Sequence, residues 1–289
     1  FAREVYGGHP YSVVSPTAAS IDAVTPERLA AEAARRLRPD RALLLVAGDV
    51  DPETVFAEAE RLLGGWKGEG APPPPVPVPA DPRGPRRIVV LDRPGSVQTN
   101  LLVGGPGIPR TDPDAYALEL ALTIYGGSFT SRLVQNLRET KGYTYSPGAG
   151  ASWMAGRGSV RTFAAVRSEV TGAALNEILY EMERMATTEA SEEEMERAFR
   201  RDAGSLAIGL QTASGVAEEV ARFWVLGLPP EEIGRVVPGL AKVTKADVRR
   251  ASRRVFGTGA ARIVAVGDAA AIRAELATLG EIVEPVPGP

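Results

Sequence analysis

Residues 126–146, GGSFTSRLVQNLRETKGYTYS, are the most informative stretch of this sequence. They lie between segment 112–124, which is predicted to be a helix, and segment 158–166, which is predicted to be a strand. The two glycines could suggest a phosphate loop, but no Lys-Ser or Lys-Thr follows at the spacing of such loops. We therefore interpret them as a helix terminator and turn. Without further context, Arg138 would be a solvated arginine near a helix end. Tyr145 would be an aromatic residue on a half-buried strand.

The chain contains an internal repeat with a constant offset. Positions 24 and 243 begin similar segments, as do positions 45 and 264, and both pairs are 219 residues apart. The matching segments are VTPERL at 24–29 with VTKADV at 243–248, LVAGD at 45–49 with VAVGD at 264–268, and GHP at 8–10 with GLP at 227–229. Three matches at one ungapped offset indicate a duplication. The alternative is that two unrelated helix-strand units resemble each other.

The repeated unit is predicted to be a helix followed by a buried strand. Thr25 and Thr244 are good N-caps, and Pro26 suits the first helical position. Segments 42–47 and 262–266 are short, apolar and followed by Gly-Asp, which is typical of a buried strand that turns into another helix. In the first repeat that second helix is predicted at 52–63.

The repeat divides the chain into three parts. Residues 1–70 are predicted to be the C-terminal part of a first repeat, and residues 88–289 a complete second repeat. Between them, residues 71–87 are rich in proline, which excludes helix and favours an extended linker. A proline-rich ligand for another domain is the alternative interpretation of this segment.

The second repeat mixes strands and helices without strict alternation. Strands are predicted at 87–91, 99–104 and 158–166, and helices at 112–124, 171–186 and 212–226. Ser191 and Glu194 form a capping box that opens a further helix, which is predicted to end near 208. This order predicts the α+β class, with a mixed, mostly antiparallel sheet and helices packed on one face.

Composition excludes several functions. The 33 basic and 36 acidic residues are nearly balanced, and no basic cluster is interleaved with aromatic residues, so nothing predicts a nucleic-acid partner. No apolar run approaches the roughly 18 to 20 residues that span a bilayer. His9 is the single histidine, and there is no cysteine. Because catalytic zinc commonly takes two or three histidines, a metal site in this chain would need almost only carboxylates.

The stretch at 126–146 resembles the second half of M16 metallopeptidases, the family of pitrilysin, insulin-degrading enzyme and the mitochondrial processing peptidase. The resemblance rests on the pattern GG-x-x-x-SRL-x-x-x-LRE-x-KG-x-x-YS, supported by GHPY at 8–11, VAGDV at 46–50 and GGW at 64–66. Together these matches cover nearly the whole chain. They imply a fold in which two homologous halves close around a peptide chamber.

The resemblance also implies where zinc binds in such enzymes. The first half carries a His-x-x-Glu-His helix, in which both histidines bind zinc and the glutamate acts as general base. The matching helix of this chain has Leu118, Ala121 and Leu122 at those positions. We therefore expect no metal and no catalytic residue in this chain alone. Zinc is expected in a catalytic half, which is either a separate subunit or an upstream segment.

By the same resemblance, Arg138 and Tyr145 match a pair that reaches across to the substrate at the zinc site of the other half. We expect both side chains to face a concave surface, and burial behind the sheet would contradict this. The chain is therefore predicted to be a non-catalytic half of a zinc peptidase that binds peptide and does not cut it alone. The alternative is a structural or assembly subunit of the same fold, similar to the core proteins of respiratory complexes.

Overall fold

The mixed sheet predicted from the sequence is present in the computed structural model, which describes residues 1–82 and 84–286. Within these residues, five strands form one sheet in the order β1-β5-β2-β4-β3. The strands are β1 (Arg87–Asp92), β2 (Gln98–Pro106), β3 (Gly148–Ser152), β4 (Ser159–Arg167) and β5 (Arg262–Gly267). β1 pairs with β5 in parallel, and the other three pairings are antiparallel. The predicted α+β class is confirmed.

Helices from residues 115–277 cover one face of this sheet. They are α5 (Ala115–Leu122), α6 (Thr171–Thr187), α7 (Glu192–Gly209), α8 (Ala213–Val225), α9 (Glu232–Ala241), α10 (Lys245–Val255) and α11 (Ala269–Ala277). Strand β4 shows why one face is covered, because its buried residues Val160, Ala164 and Val166 alternate with exposed Arg161 and Ala165. The buried side chains form the main core together with α5, α6 and α10.

The amino-terminal part of the chain contains short helices: α1 (Ala2–Tyr6), α2 (Ala18–Asp22), α3 (Pro26–Arg36) and α4 (Pro52–Leu63). Helix α1 lies over the sheet face opposite the helical layer, where it and neighbouring residues enclose a cavity of about 700 Å³ with Val89, Leu102 and Val264. The Glu4 carboxylate fixes this arrangement by accepting hydrogen bonds from Arg87 and from the backbone N–H of Val286.

The helices at the two ends of the chain recur at the offset seen in the sequence. Helix α3 begins at 26 and ends at 36, and α10 begins at 245 and ends at 255, so both bounds differ by 219. Thr25 caps α3 by accepting the N–H of Arg28, and Thr244 caps α10 by accepting that of Asp247. Both predicted caps are present. The coincidence supports the duplication, whereas the division into domains stays a prediction. Position 83 of the predicted linker and 287–289 of the predicted second repeat lie outside the described residues.

The predicted buried strand at 42–47 is wrong for this structure. The segment belongs to no strand, and its Leu43, Leu44 and Val46 side chains are exposed. Its counterpart β5 lies between β1 and β2 and takes hydrogen bonds from both sides. Within the described residues no strand lies beside 42–47, so neither its backbone nor its apolar side chains gain the contacts that stabilise a strand.

Candidate functional site

Arg138 lies on an unusual helical turn that packs into the core. Residues Val134–Thr140 form a π-helix, a geometry that is rare and frequent at functional sites. Two of its own residues, Val134 and Leu137, are buried in the protein. Against α6, the Asn136 side-chain amide donates hydrogen bonds of 2.9 Å and 2.8 Å to Glu177 and Glu181. The turn that carries Arg138 is therefore tied to the helical layer.

A second tie joins the start of this segment to α7. Arg132 is buried and donates two hydrogen bonds, of 2.7 Å and 2.9 Å, to the two carboxylate oxygens of Glu194. Paired N–H groups meeting a carboxylate in this way give strong and directional contacts. The same Glu194 side chain accepts the backbone N–H of Ser191, so it also closes the capping box predicted for α7. The pKa of Glu194 lies below its usual value because Arg132 and Ser191 donate to the carboxylate, although burial opposes this.

A glycine turn then brings the chain back toward the exposed sheet face. Gly142 has a φ of 62°, a left-handed conformation that disfavours other residues. Its N–H donates to the Arg138 carbonyl at 3.1 Å, which ends the helical turn. Next, the Thr144 hydroxyl donates to the Ala165 carbonyl at 2.6 Å, and this bond fastens the segment to β4. Tyr145 follows directly and is 77% exposed.

The two residues predicted for the site lie in contact. The Arg138 Cζ atom is 4.4 Å from the centre of the Tyr145 ring, a distance typical of a cation–π contact. The same atom is 4.6 Å from the centre of the Phe129 ring. In addition, Arg138 Nε lies 3.2 Å from a carboxylate oxygen of Glu139. The structure thus brings together a charged donor, a phenol and a second aromatic ring at one exposed place.

A shallow cavity borders this cluster. Its volume is about 370 Å³, and Gln98, Tyr145, Ser146 and Arg167 contribute to its wall. Neither Arg138 nor Tyr145 lies behind the sheet, so the burial that would have contradicted the sequence argument is not observed. Their action on a substrate stays a prediction. Phe129 was missed by sequence reasoning, because spacing along the chain gives no sign that an aromatic nine positions before Arg138 returns to contact it.

The three positions of helix α5 that match the zinc motif do not fit a zinc ion. Leu118 and Ala121 are completely buried and Leu122 is nearly so, and their hydrocarbon side chains offer no ligand atom. Across residues 1–82 and 84–286, no cluster of three histidine, cysteine or acidic side chains is arranged to hold a metal. His9 lies in a loop, where its Nδ1 accepts the N–H of Tyr11.

Polar groups beside α5 are engaged with each other. The Tyr116 hydroxyl donates to Glu232, and burial together with this carboxylate raises the pKa of Tyr116 to about 12. Burial also raises the pKa of Asp202, whose carboxylate accepts a 2.9 Å hydrogen bond from the Thr123 hydroxyl. These contacts tie α5 to α7 and α9, and they indicate a structural role for the polar groups around this helix.

Comparison with known proteins gives the family. The sequence model described as "Peptidase M16 inactive domain" matches residues 23–201, which is more than half of the chain. The chain therefore belongs to the M16 peptidase family and contains its inactive type of domain. The match extends across the predicted proline-rich linker.

Bacterial proteins named "uncharacterized zinc protease" are similar to this chain. One from Streptomyces coelicolor is 26% identical over 268 residues, which cover 89% of this chain and 57% of that protein. Another from Rickettsia felis is 28% identical over 220 residues, covering 74% of this chain and 51% of that protein. The chain thus spans little more than half the length of these relatives.

Solved structures show the same fold. The M16 inactive domain from Pseudomonas fluorescens superposes with a TM-score of 0.85 at 24% identity, covering 92% of this chain and 63% of that one. A Helicobacter pylori protease gives 0.83 at 18% identity, with 91% and 64% covered. A chain of complex III2 from Candida albicans gives 0.80 at 15% identity, with 97% and 69% covered. No described helix is long and apolar enough to cross a membrane.

Proposed function

We propose that this chain is the non-catalytic half of an M16 zinc peptidase, in which Arg138 and Tyr145 bind the peptide substrate. The observation that carries the proposal is the contact between these two side chains, with Arg138 Cζ 4.4 Å from the Tyr145 ring at an exposed place. The zinc belongs to a catalytic half with the His-x-x-Glu-His helix, which is either a separate subunit or an upstream segment of the same polypeptide.

The chemistry of the pair suits a peptide. A guanidinium and a phenol both donate hydrogen bonds, and a peptide in extended form presents carbonyl oxygens that accept them. One well-placed donor to an oxygen that gains negative charge during reaction contributes about 3 to 4 kcal/mol. A donor has this effect only if the protein holds it in place. The hydrogen bonds from Asn136 to α6 and from Arg132 to α7 hold the segment that carries Arg138.

The unpaired segment at 42–47 supports the need for a second half. Leu43, Leu44 and Val46 are exposed, whereas the equivalent positions in β5, which lie 219 residues later, are buried. An extended apolar segment with free backbone groups favours the addition of strands. Strands of a catalytic half would supply both the missing hydrogen bonds and the missing apolar contacts.

The test is peptide cleavage with and without a catalytic half. The chain alone should not cleave a fluorogenic peptide at any zinc concentration. Combined with a half that carries the zinc motif, it should support cleavage, and Arg138→Ala should lower kcat/KM by about 100- to 1,000-fold. Tyr145→Phe should reduce it as well, and Arg235→Ala, which changes an exposed arginine of α9, should not. Cleavage by the isolated chain that stops with a chelator would contradict the proposal.

A purely structural role is the second candidate, and the likeness to a chain of Candida albicans complex III2 favours it. That comparison covers 97% of this chain, although its 15% identity concerns the fold only. The same experiment separates the two functions. If alanine at both Arg138 and Tyr145 leaves a reconstituted peptidase unchanged, the chain acts as a structural subunit.

A further inference from the structure

We infer that Phe129 is a positioning residue that holds the Arg138 guanidinium in place for peptide binding. The inference rests on the function proposed above and adds a third member to the pair. Phe129 is 62% exposed, yet its ring centre lies 4.6 Å from Arg138 Cζ. Its ring is therefore not held by the core, and its distance from Arg138 Cζ is that of a cation–π contact.

The backbone places Phe129 through close packing at Gly126, three residues before it. A Cβ on Gly126 would lie 2.7 Å from Leu133 Cδ1 and 2.8 Å from the backbone nitrogen of Ala149, so only glycine fits there. After this close approach the chain makes a tight turn, in which the Ser131 N–H donates to the Ser128 carbonyl at 3.1 Å. Phe129 lies within this turn. Its position is therefore determined by the backbone and does not depend on burial of its ring.

The contacts restrain Arg138 and leave its terminal N–H groups without a hydrogen-bond partner among the described residues. A free arginine side chain has many rotamers, and ordering them opposes binding. The Phe129 and Tyr145 rings attract the cation, and Glu139 lies beside its Nε atom at 3.2 Å. The terminal N–H groups stay available for a carbonyl oxygen of a peptide. Removal of the Phe129 ring should therefore weaken peptide binding about two- to fivefold, the range expected for an exposed cation–π contact.

The first measurement is peptide affinity of the chain itself. The probe is a fluorescein-labelled, capped 12-residue peptide of alanine, glycine and glutamine, so that backbone carbonyls are the main groups recognised. Phe129→Leu should raise Kd two- to fivefold, because leucine keeps an apolar side chain but lacks a ring. Phe129→Trp, which keeps an aromatic ring, should bind the peptide at least as tightly as the parent chain. Phe56→Leu, the same change at an exposed residue of α4, should have no effect.

Coupling between positions makes the test specific. In the Arg138→Ala background, Phe129→Leu should produce no further loss, since the cation that the ring holds is absent. An equal loss in both backgrounds would show that Phe129 contacts the peptide directly and would overturn the inference. So would a Phe129→Leu variant that binds as tightly as the parent chain.

A second measurement decides the inference independently of peptide binding. The heteronuclear NOE of the Arg138 Nε–Hε group should fall in Phe129→Leu, whereas that of exposed Arg235 should not change. An unchanged Arg138 signal overturns the positioning role. Failure of the proposed function gives a different result: Arg138→Ala would leave peptide affinity unaltered, or the parent chain would bind no peptide, while the NOE still falls.

Discussion

The matched positions 44 and 263 allow a direct test of how the two similar apolar segments differ. They are 219 residues apart and hold Leu44 and Ile263, which are similar in size and both lie in the repeated apolar segment. Leu44 is 59% exposed and Ile263 is completely buried in β5. The same substitution to alanine should therefore have very different effects on the free energy of unfolding.

The expected magnitudes follow from burial. Ile263→Ala removes buried methyl and methylene groups and leaves a cavity in the core beneath the sheet, so it should cost about 2 to 5 kcal/mol. Leu44→Ala removes a side chain that is mostly in water already and should change stability by no more than about 0.5 kcal/mol. The difference exceeds the error of a denaturant experiment.

Urea unfolding, followed by far-UV circular dichroism, measures both values in the isolated chain. Ile263→Ala should move the midpoint to lower urea, and Leu44→Ala should leave it in place. If Leu44→Ala costs as much as Ile263→Ala, residues 42–47 are packed in solution and the reasoning about a missing partner strand is wrong. On addition of a catalytic half, the proposed function predicts that Leu44→Ala weakens assembly.

Two further predictions concern contacts of helix α5 and of strand β2. Asp114 accepts hydrogen bonds from Arg250 and Arg254, which hold its pKa below the usual value although burial opposes this. Asp114→Asn should therefore cost about 1 to 3 kcal/mol at neutral pH. Because the pKa of Asp114 is lower in the folded than in the unfolded chain, the stability difference is fully present above the unfolded pKa of about 3.9. It should shrink as pH falls through the lower folded pKa. Urea unfolding at a series of pH values measures this change. Gly104→Ala should cost about 1 to 3 kcal/mol, since its Cβ would lie 2.0 Å from a β4 carbonyl oxygen. Gly105→Ala, with no atom within 4 Å of its Cβ, is the control, and equal effects would show that the backbone relaxes.

Helix-capping residues in the sequence correctly predicted where helices begin. Capping threonines preceded both α3 and α10, and a capping box opened α7, because a side-chain oxygen beside free N–H groups acts within one turn. Strand β3 and helix α9 were not predicted. Strand β3 reads GAGAS, which has no apolar alternation, and it is a strand because β4 offers it a free edge.

In the candidate site, too, some features follow from the sequence and others depend on the folded chain. The family pattern selected Arg138 and Tyr145, whose positions relative to the pattern are a property of the sequence. Their contact requires the turn at Gly142 and the bond from Thr144 to β4, and only the folded chain brings these together. Phe129 joins Arg138 and Tyr145 because the backbone packs tightly at Gly126. That packing is against residues 133 and 149, and the second of these is distant in the sequence.

The sequence by itself determined the family, the fold class, the repeat offset and the apolar residues at the three zinc-motif positions of α5, because each depends on residue types at fixed spacing. Tertiary structure decided which apolar segments are buried and which side chains meet. Segments 42–47 and 262–267 share a pattern, yet only the second is a strand, since a strand needs neighbours on the sheet and those neighbours come from distant parts of a chain.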